Sequence, residues 1–129
     1  KENLKFCGTL PNGRPVLDWL DDINIYLQPS FQEGKPRTLI EAMSRGCICL
    51  GSDVGGIPEL LDNEFIHKKG NYKQLANQIK SLLGKSKEEL EIIAKNNFEI
   101  AKQYTSDILE EKRYNFYKLL KEEAIKKKK

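Results

Sequence analysis

What this sequence lacks narrows its reading quickly. No apolar run approaches the ~20 residues that cross a bilayer, so no membrane-spanning helix is expected. The first residues, KENLKF, lack the charged-then-apolar pattern of a secretory leader, and nothing at the other end reads as a lipidation signal. Cysteine is scarce. There are three, Cys7, Cys47 and Cys49, an odd number that predicts reduced thiols in a cytosolic protein. Cys47 and Cys49 form C-x-C rather than C-x-x-C, and no second ligand pair follows. In a strand both would face one side, and they read as small buried apolar groups rather than a metal or redox site. No G-x-G-x-x-G follows the first apolar segment, which weighs against an epimerase-like or flavodoxin-like nucleotide-binding domain. No basic face interleaved with aromatics is present, so nucleic acid is not an expected partner. The net charge is only +3. Much of it sits in the terminal lysines 126–129, which read as a solvated helix end rather than an arm for anionic lipid or nucleic acid.

What is present is an alternation. The chain has 129 residues, enough for one domain with a real core. Four short apolar segments, Leu4–Cys7, Ile23–Leu27, Cys47–Gly51 and Glu64–His67, read as buried strands, with Asn24 interrupting the second. Helical patterns stand between them at about Arg14–Leu20, Pro36–Arg45 and IPELLDN, with Asp62 and Asn63 as the polar end of the last. Strands alternating with helices predict a parallel α/β sheet. After His67 only helices are expected. Tyr72, Leu75, Ala76, Ile79, Leu82 and Leu83 form one stripe, closed by Gly84. Ser86 and Glu89 form a capping box ahead of a helix burying Leu90, Ile93, Ala94, Phe98 and Ala101. A last helix starts near Ser106, with Tyr114, Phe116 and Tyr117 as packing residues. Residues 1–67 thus read as a parallel α/β core, and residues 68–129 as helices completing the same domain.

The stretch SFQEGKPRTLIEAMSRG, Ser30 to Gly46, carries the chemistry. A strand runs into a loop, and a helix opens near Pro36, a residue suited to the first helical position because its missing N–H costs nothing there. Ligands in open parallel sheets sit beyond the carboxyl ends of the strands, and a helix start offers unpaired N–H groups to an anion. Glu33 precedes the helix. Glu41 lies ~7.5 Å along its axis from Pro36, placed to accept hydrogen bonds from a pair of hydroxyls such as a ribose diol. This spacing fits sugar, phosphate and ribose laid across the helix end. Two plainer readings stand beside it: Glu33 complementing the helix dipole, and Glu41 pairing with Arg45 at i,i+4. GSDVGGIPELL, Gly51 to Leu61, adds a Gly55–Gly56 turn where backbone can approach a ligand closely.

Taken together, F-x-G (Phe6 to Gly8), PS-x-x-EG-x-P-x-x-L-I-EAM-x-x-G (Pro29 to Gly46) and SDVGGIPELL (Ser52 to Leu61) resemble the C-terminal, nucleotide-sugar-binding half of retaining glycosyltransferases of the GT-B fold, family 4. The resemblance implies that Glu33 binds the transferred sugar and acts as the catalytic-site carboxylate. Gly34, Lys35, Arg37 and Thr38 would surround the sugar and diphosphate, with the N–H groups of Arg37 and Thr38 on phosphate. Glu41 would hold the ribose, and Leu10 the base through its backbone. It implies a nucleoside diphosphate sugar as donor, no metal or other cofactor, and an acceptor glycan or lipid held by an N-terminal domain outside this chain. It also implies a cytoplasmic protein able to associate peripherally with the inner face of the membrane. The family's donor domain opens with two further strand–helix units carrying an Arg/Lys pair, and neither unit is present here. The chain therefore reads as a fragment, inactive alone, with Leu4–Cys7 not a direct sheet neighbour of Ile23–Leu27. A module keeping the fold without the activity is the alternative.

Overall fold

The computed structural model describes residues 3–128. Three short strands, β1 (Ile25–Gln28), β2 (Ile48–Ser52) and β3 (Ile66–His67), form one sheet in the order β1-β2-β3. Both pairings are parallel, Ile25 facing Ile48 and Gly51 facing Ile66. Parallel neighbours need crossovers. Here α2 (Arg37–Ser44) joins β1 to β2, and α3 (Ile57–Leu60) with a 3-10 turn at Asn63–Phe65 joins β2 to β3. Helix α1 (Arg14–Asp21) precedes the sheet, and α4 (Tyr72–Leu83), α5 (Lys87–Lys102) and α6 (Ser106–Lys128) follow it. This is a partial Rossmann-like α/β arrangement with a helical C-terminal part, the parallel sheet as the alternating pattern predicts and the Rossmann-like form as the resemblance implies.

The core forms around β2, which is buried along its whole length. Its own Leu50 is completely buried, as are Leu20, Leu39, Met43 and Ile57 around it. Cys47 and Cys49 are buried free thiols, and burial pushes both up from the usual thiol range. Helix α5 packs on α2, and Asn97 Nδ2 donates to the carbonyl of Cys47, just ahead of β2, at 2.9 Å. Asn97 is 3 % exposed, and the carbonyl satisfies its buried amide. Ser86 caps α5 by accepting from the Glu89 N–H at 3.2 Å, as the S-x-x-E spacing predicts.

Several boundaries differ from the sequence reading. Leu4–Cys7 is not a strand; Leu4 and Phe6 are 67 % and 89 % exposed, and no strand among the described residues pairs with them. It does not join β1, consistent with the expected strand order. β1 starts after Asn24. Pro36 occupies the N-cap of α2 rather than the first helical position, with extended backbone. Helix α3 ends at Leu60, so Asp62 and Asn63 open the 3-10 turn instead of closing α3, and β3 shrinks to two residues. In α4, Leu82 is buried but Tyr72 and Leu83 are exposed; in α5, Phe98 is exposed beneath the Lys102 ammonium, 4.7 Å from its ring centre. In α6 no residue is buried, and Tyr114, Phe116 and Tyr117 face solvent. Its apolar residues are spread round the helix among charges, so they make no single stripe to seat against the core.

Candidate functional site

The loops after β1, β2 and β3 meet at the carboxyl end of the sheet. The Ser52 hydroxyl, at the end of β2, donates to the Ser30 carbonyl at 2.6 Å and fixes the start of the loop after β1. Gly55 lies at φ +55°, and a Cβ built there would fall 2.0 Å from the Glu33 carbonyl oxygen. Gly56 then donates its N–H to the Gly34 carbonyl at 2.7 Å. The Gly-Gly turn therefore supports the Glu33 loop from beneath by close backbone approach, which only a residue without Cβ permits. On its other side the loop sends Phe31 against Gly70, after β3.

Glu33 is half-buried. Its Oε1 accepts from Ser30 Oγ and from Gln28 Nε2, each at 2.7 Å. Gln28 Oε1 in turn accepts from the Tyr26 hydroxyl at 2.5 Å. Burial, with smaller contributions from the Cys49 thiol and the Glu33 and Glu41 carboxylates, pushes Tyr26 up to about 12, so this hydroxyl remains a donor at any physiological pH.

Helix α2 opens beyond this loop. Arg37 and Thr38 are its first two residues, no side chain caps it, and the first N–H groups of a helix have no acceptor within it. One turn further on, Glu41 is half-buried and pairs with Arg37, Oε1 to Nε 3.4 Å. The alternative pairing with Arg45 is not made. Arg45 instead grips Asp21 at the end of α1 with two bonds of 2.6 Å, a fork that holds the Asp21 carboxyl below its usual range.

Four of the residues expected at the site share one cavity of about 270 Å³: Leu10, Arg37, Thr38 and Glu41, joined by Val16 and Trp19 from α1. Arg37 and Glu41 also border a larger groove of about 540 Å³, together with Lys35 and Tyr104. Lys35 is drawn to that side: its Nζ lies 3.2 Å from Glu59 and 4.4 Å from the centre of the Tyr104 ring. Glu33 and Gly34 line neither hollow and sit on the adjoining loop. Sequence reasoning missed Trp19, Gln28, Tyr26 and Tyr104. The alternation Tyr26-x-Gln28-x-Ser30 was the available signal for two of them, since alternate strand residues share a face. Among the described residues no group of three or more His, Cys, Asp or Glu could hold a metal, and no helix is long and apolar enough to cross a membrane.

An acid-bearing loop and an uncapped helix start stand together at the carboxyl end of the sheet, the end where open parallel α/β sheets take their ligands. The family is more particular. The model of the glycosyl transferases group 1 family matches residues 1–85, and the chain belongs to that family. Over 94 residues it is 28 % identical to protein CapJ of Staphylococcus aureus, covering 72 % of this chain and 24 % of that protein. Over 105 residues it is 30 % identical to the N,N'-diacetylbacillosaminyl-diphospho-undecaprenol alpha-1,3-N-acetylgalactosaminyltransferase of Campylobacter jejuni, covering 79 % of this chain and 28 % of that enzyme. The chain thus spans about a quarter of the length of these relatives.

Proposed function

We propose that this chain is the donor-binding part of a retaining glycosyltransferase that moves a sugar from a nucleoside diphosphate sugar to a glycan or lipid acceptor. The observation that carries the reading is the convergence of Leu10, Arg37, Thr38 and Glu41 on one cavity, at the helix start that Glu33 precedes. The base lies against Leu10 and Trp19, the ribose hydroxyls bond to Glu41, and the diphosphate meets the first N–H groups of α2 and the Arg37 guanidinium. Those groups stabilise the charge that develops on the departing diphosphate. Glu33 faces the sugar beyond. Lys35, committed to Glu59 and Tyr104, supports the loop rather than the phosphate. No metal or other cofactor enters this reading.

The acceptor site belongs to the remainder of a longer protein, since the matched relatives are about four times the aligned length. The name of the Campylobacter relative favours a polyprenyl-diphosphate-linked saccharide as acceptor. On this reading the enzyme works at the cytoplasmic face of a membrane, held peripherally.

The test is calorimetric titration of the intact protein with UDP, GDP, UDP-N-acetylgalactosamine, UDP-N-acetylglucosamine and GDP-mannose. At least one pair of bare and sugar-bearing nucleotide should bind. Glu33→Gln should weaken the sugar-bearing member selectively, and an equal loss for both would move Glu33 onto the nucleotide. Failure of the whole panel to bind would refute the reading.

A further inference from the structure

The bonds around Glu33 follow an order that spacing alone does not show. Its two carboxylate oxygens are differently engaged: Oε1 takes both the Gln28 and Ser30 bonds, and no protein group among the described residues bonds to Oε2. The Gln28 amide is itself oriented. An amide can present its NH₂ or its carbonyl to a neighbour, and only the NH₂ is compatible with a carboxylate. The acceptor-only carboxylate therefore takes the NH₂, whose nitrogen also donates to Ser30 Oγ at 3.0 Å, and the Tyr26 hydroxyl donates to Gln28 Oε1 and holds the amide in that orientation from the other side.

We propose that Tyr26 and Gln28 are positioning residues for Glu33, a two-residue relay from the sheet that fixes one carboxylate oxygen and leaves the other to the donor sugar. This rests on the reading of Glu33 as the sugar-facing carboxylate. Rigidity comes from the strand: Tyr26 and Gln28 are both within β1, in register with Cys49 and Gly51 of β2. Ser30 adds a third anchor, its backbone held by Ser52. A loop glutamate is thereby placed with the precision of a strand residue, the arrangement that orienting a ligand hydroxyl requires. Tyr26 touches no ligand in this scheme and acts only through the amide.

The experiment compares Tyr26→Phe, Gln28→Leu and the double variant in the intact protein, titrated with the tightest-binding nucleotide pair of the panel above. Gln28→Leu removes a bond to a charged group and should weaken the sugar-bearing nucleotide roughly tenfold, while the bare nucleotide changes less than about twofold. Tyr26→Phe removes a bond between neutral groups and should weaken it about threefold. In the double variant the tyrosine change should add nothing, because the amide it orients is gone. An equal loss for both nucleotides, no loss in either single variant, or additive losses would each overturn the relay. If Glu33→Gln itself leaves the sugar-bearing nucleotide unaffected, the reading of Glu33 fails, independently of the relay. Tyr26→Phe keeps the core volume, so it remains informative if Gln28→Leu unfolds.

Discussion

Glu41 shows how a single side chain can be read two ways from spacing and one way from space. Two arginines flank it at i−4 and i+4. Asp21 captures Arg45 in a bidentate fork, leaving Glu41 with Arg37 at the mouth of the cavity. Glu41→Ala should therefore cost about 1.5–3 kcal/mol of nucleoside diphosphate binding, the range for hydrogen bonds to a charged group. The fold should survive, since no buried apolar volume is lost; calorimetry on variant and wild type measures the loss. His67 makes a second residue-scale prediction. It is the only histidine in the chain and is 2 % exposed. Burial lowers it from the ordinary 6.5, partly opposed by the nearby Asp53 carboxylate. The unfolded chain then binds more protons than the folded one between the two values, so stability rises with pH through that window. It should be fully present above about 6.5, fall as acid is added, and level off below the folded value. Urea midpoints at pH 7.5 and 5.5 should differ less in His67→Phe than in the wild type.

At the level of elements, Asn97 is where α5 meets the sheet. Its amide replaces water on the carbonyl of Cys47, the residue just ahead of β2. Asn97→Ala should leave that buried carbonyl with only the weak Cys49 thiol donor, 3.5 Å away, and cost about 1–3 kcal/mol in a denaturant titration. Elements whose stability is local were legible in the sequence. The Ser86 cap, the α2 stripe of Leu39 and Met43, and the loop glycines all carry their cause within a few residues. Elements that need a distant partner were not. Leu4–Cys7 has strand-like composition, yet a strand exists only through its ladder, and no partner stands beside it among the described residues. The aromatic residues of α6 look like packing residues one at a time, but their angular spread gives them no common face. The E-x7-E spacing put Glu33 ahead of α2 and Glu41 inside it, whereas the groups that bond to Glu33 include Gln28, at the end of the strand before it. Those groups depend on a side-chain chain of bonds, which no motif encodes.

The whole molecule is built outwards from β2, and its asymmetry has a consequence. Among the described residues β1 has β2 on one side and no strand on the other. Its outer row of N–H and C=O groups is a template for further pairing, and Leu27, within β1, is 38 % exposed. The 129-residue chain on its own should associate through this edge. Leu27→Lys should shift sedimentation at high concentration towards the monomer, because a charge at an edge discourages pairing; unchanged association would place the contact elsewhere, with the exposed aromatics of α6 as the next candidate.

The chain has one tryptophan, and the fold puts it in the wall of the cavity that Leu10, Arg37 and Glu41 share. On the proposed reading, that placement makes the chain its own optical sensor. A nucleobase entering the cavity would come against the indole and change its emission, with no label attached and no competing tryptophan elsewhere in the 129 residues to obscure the change.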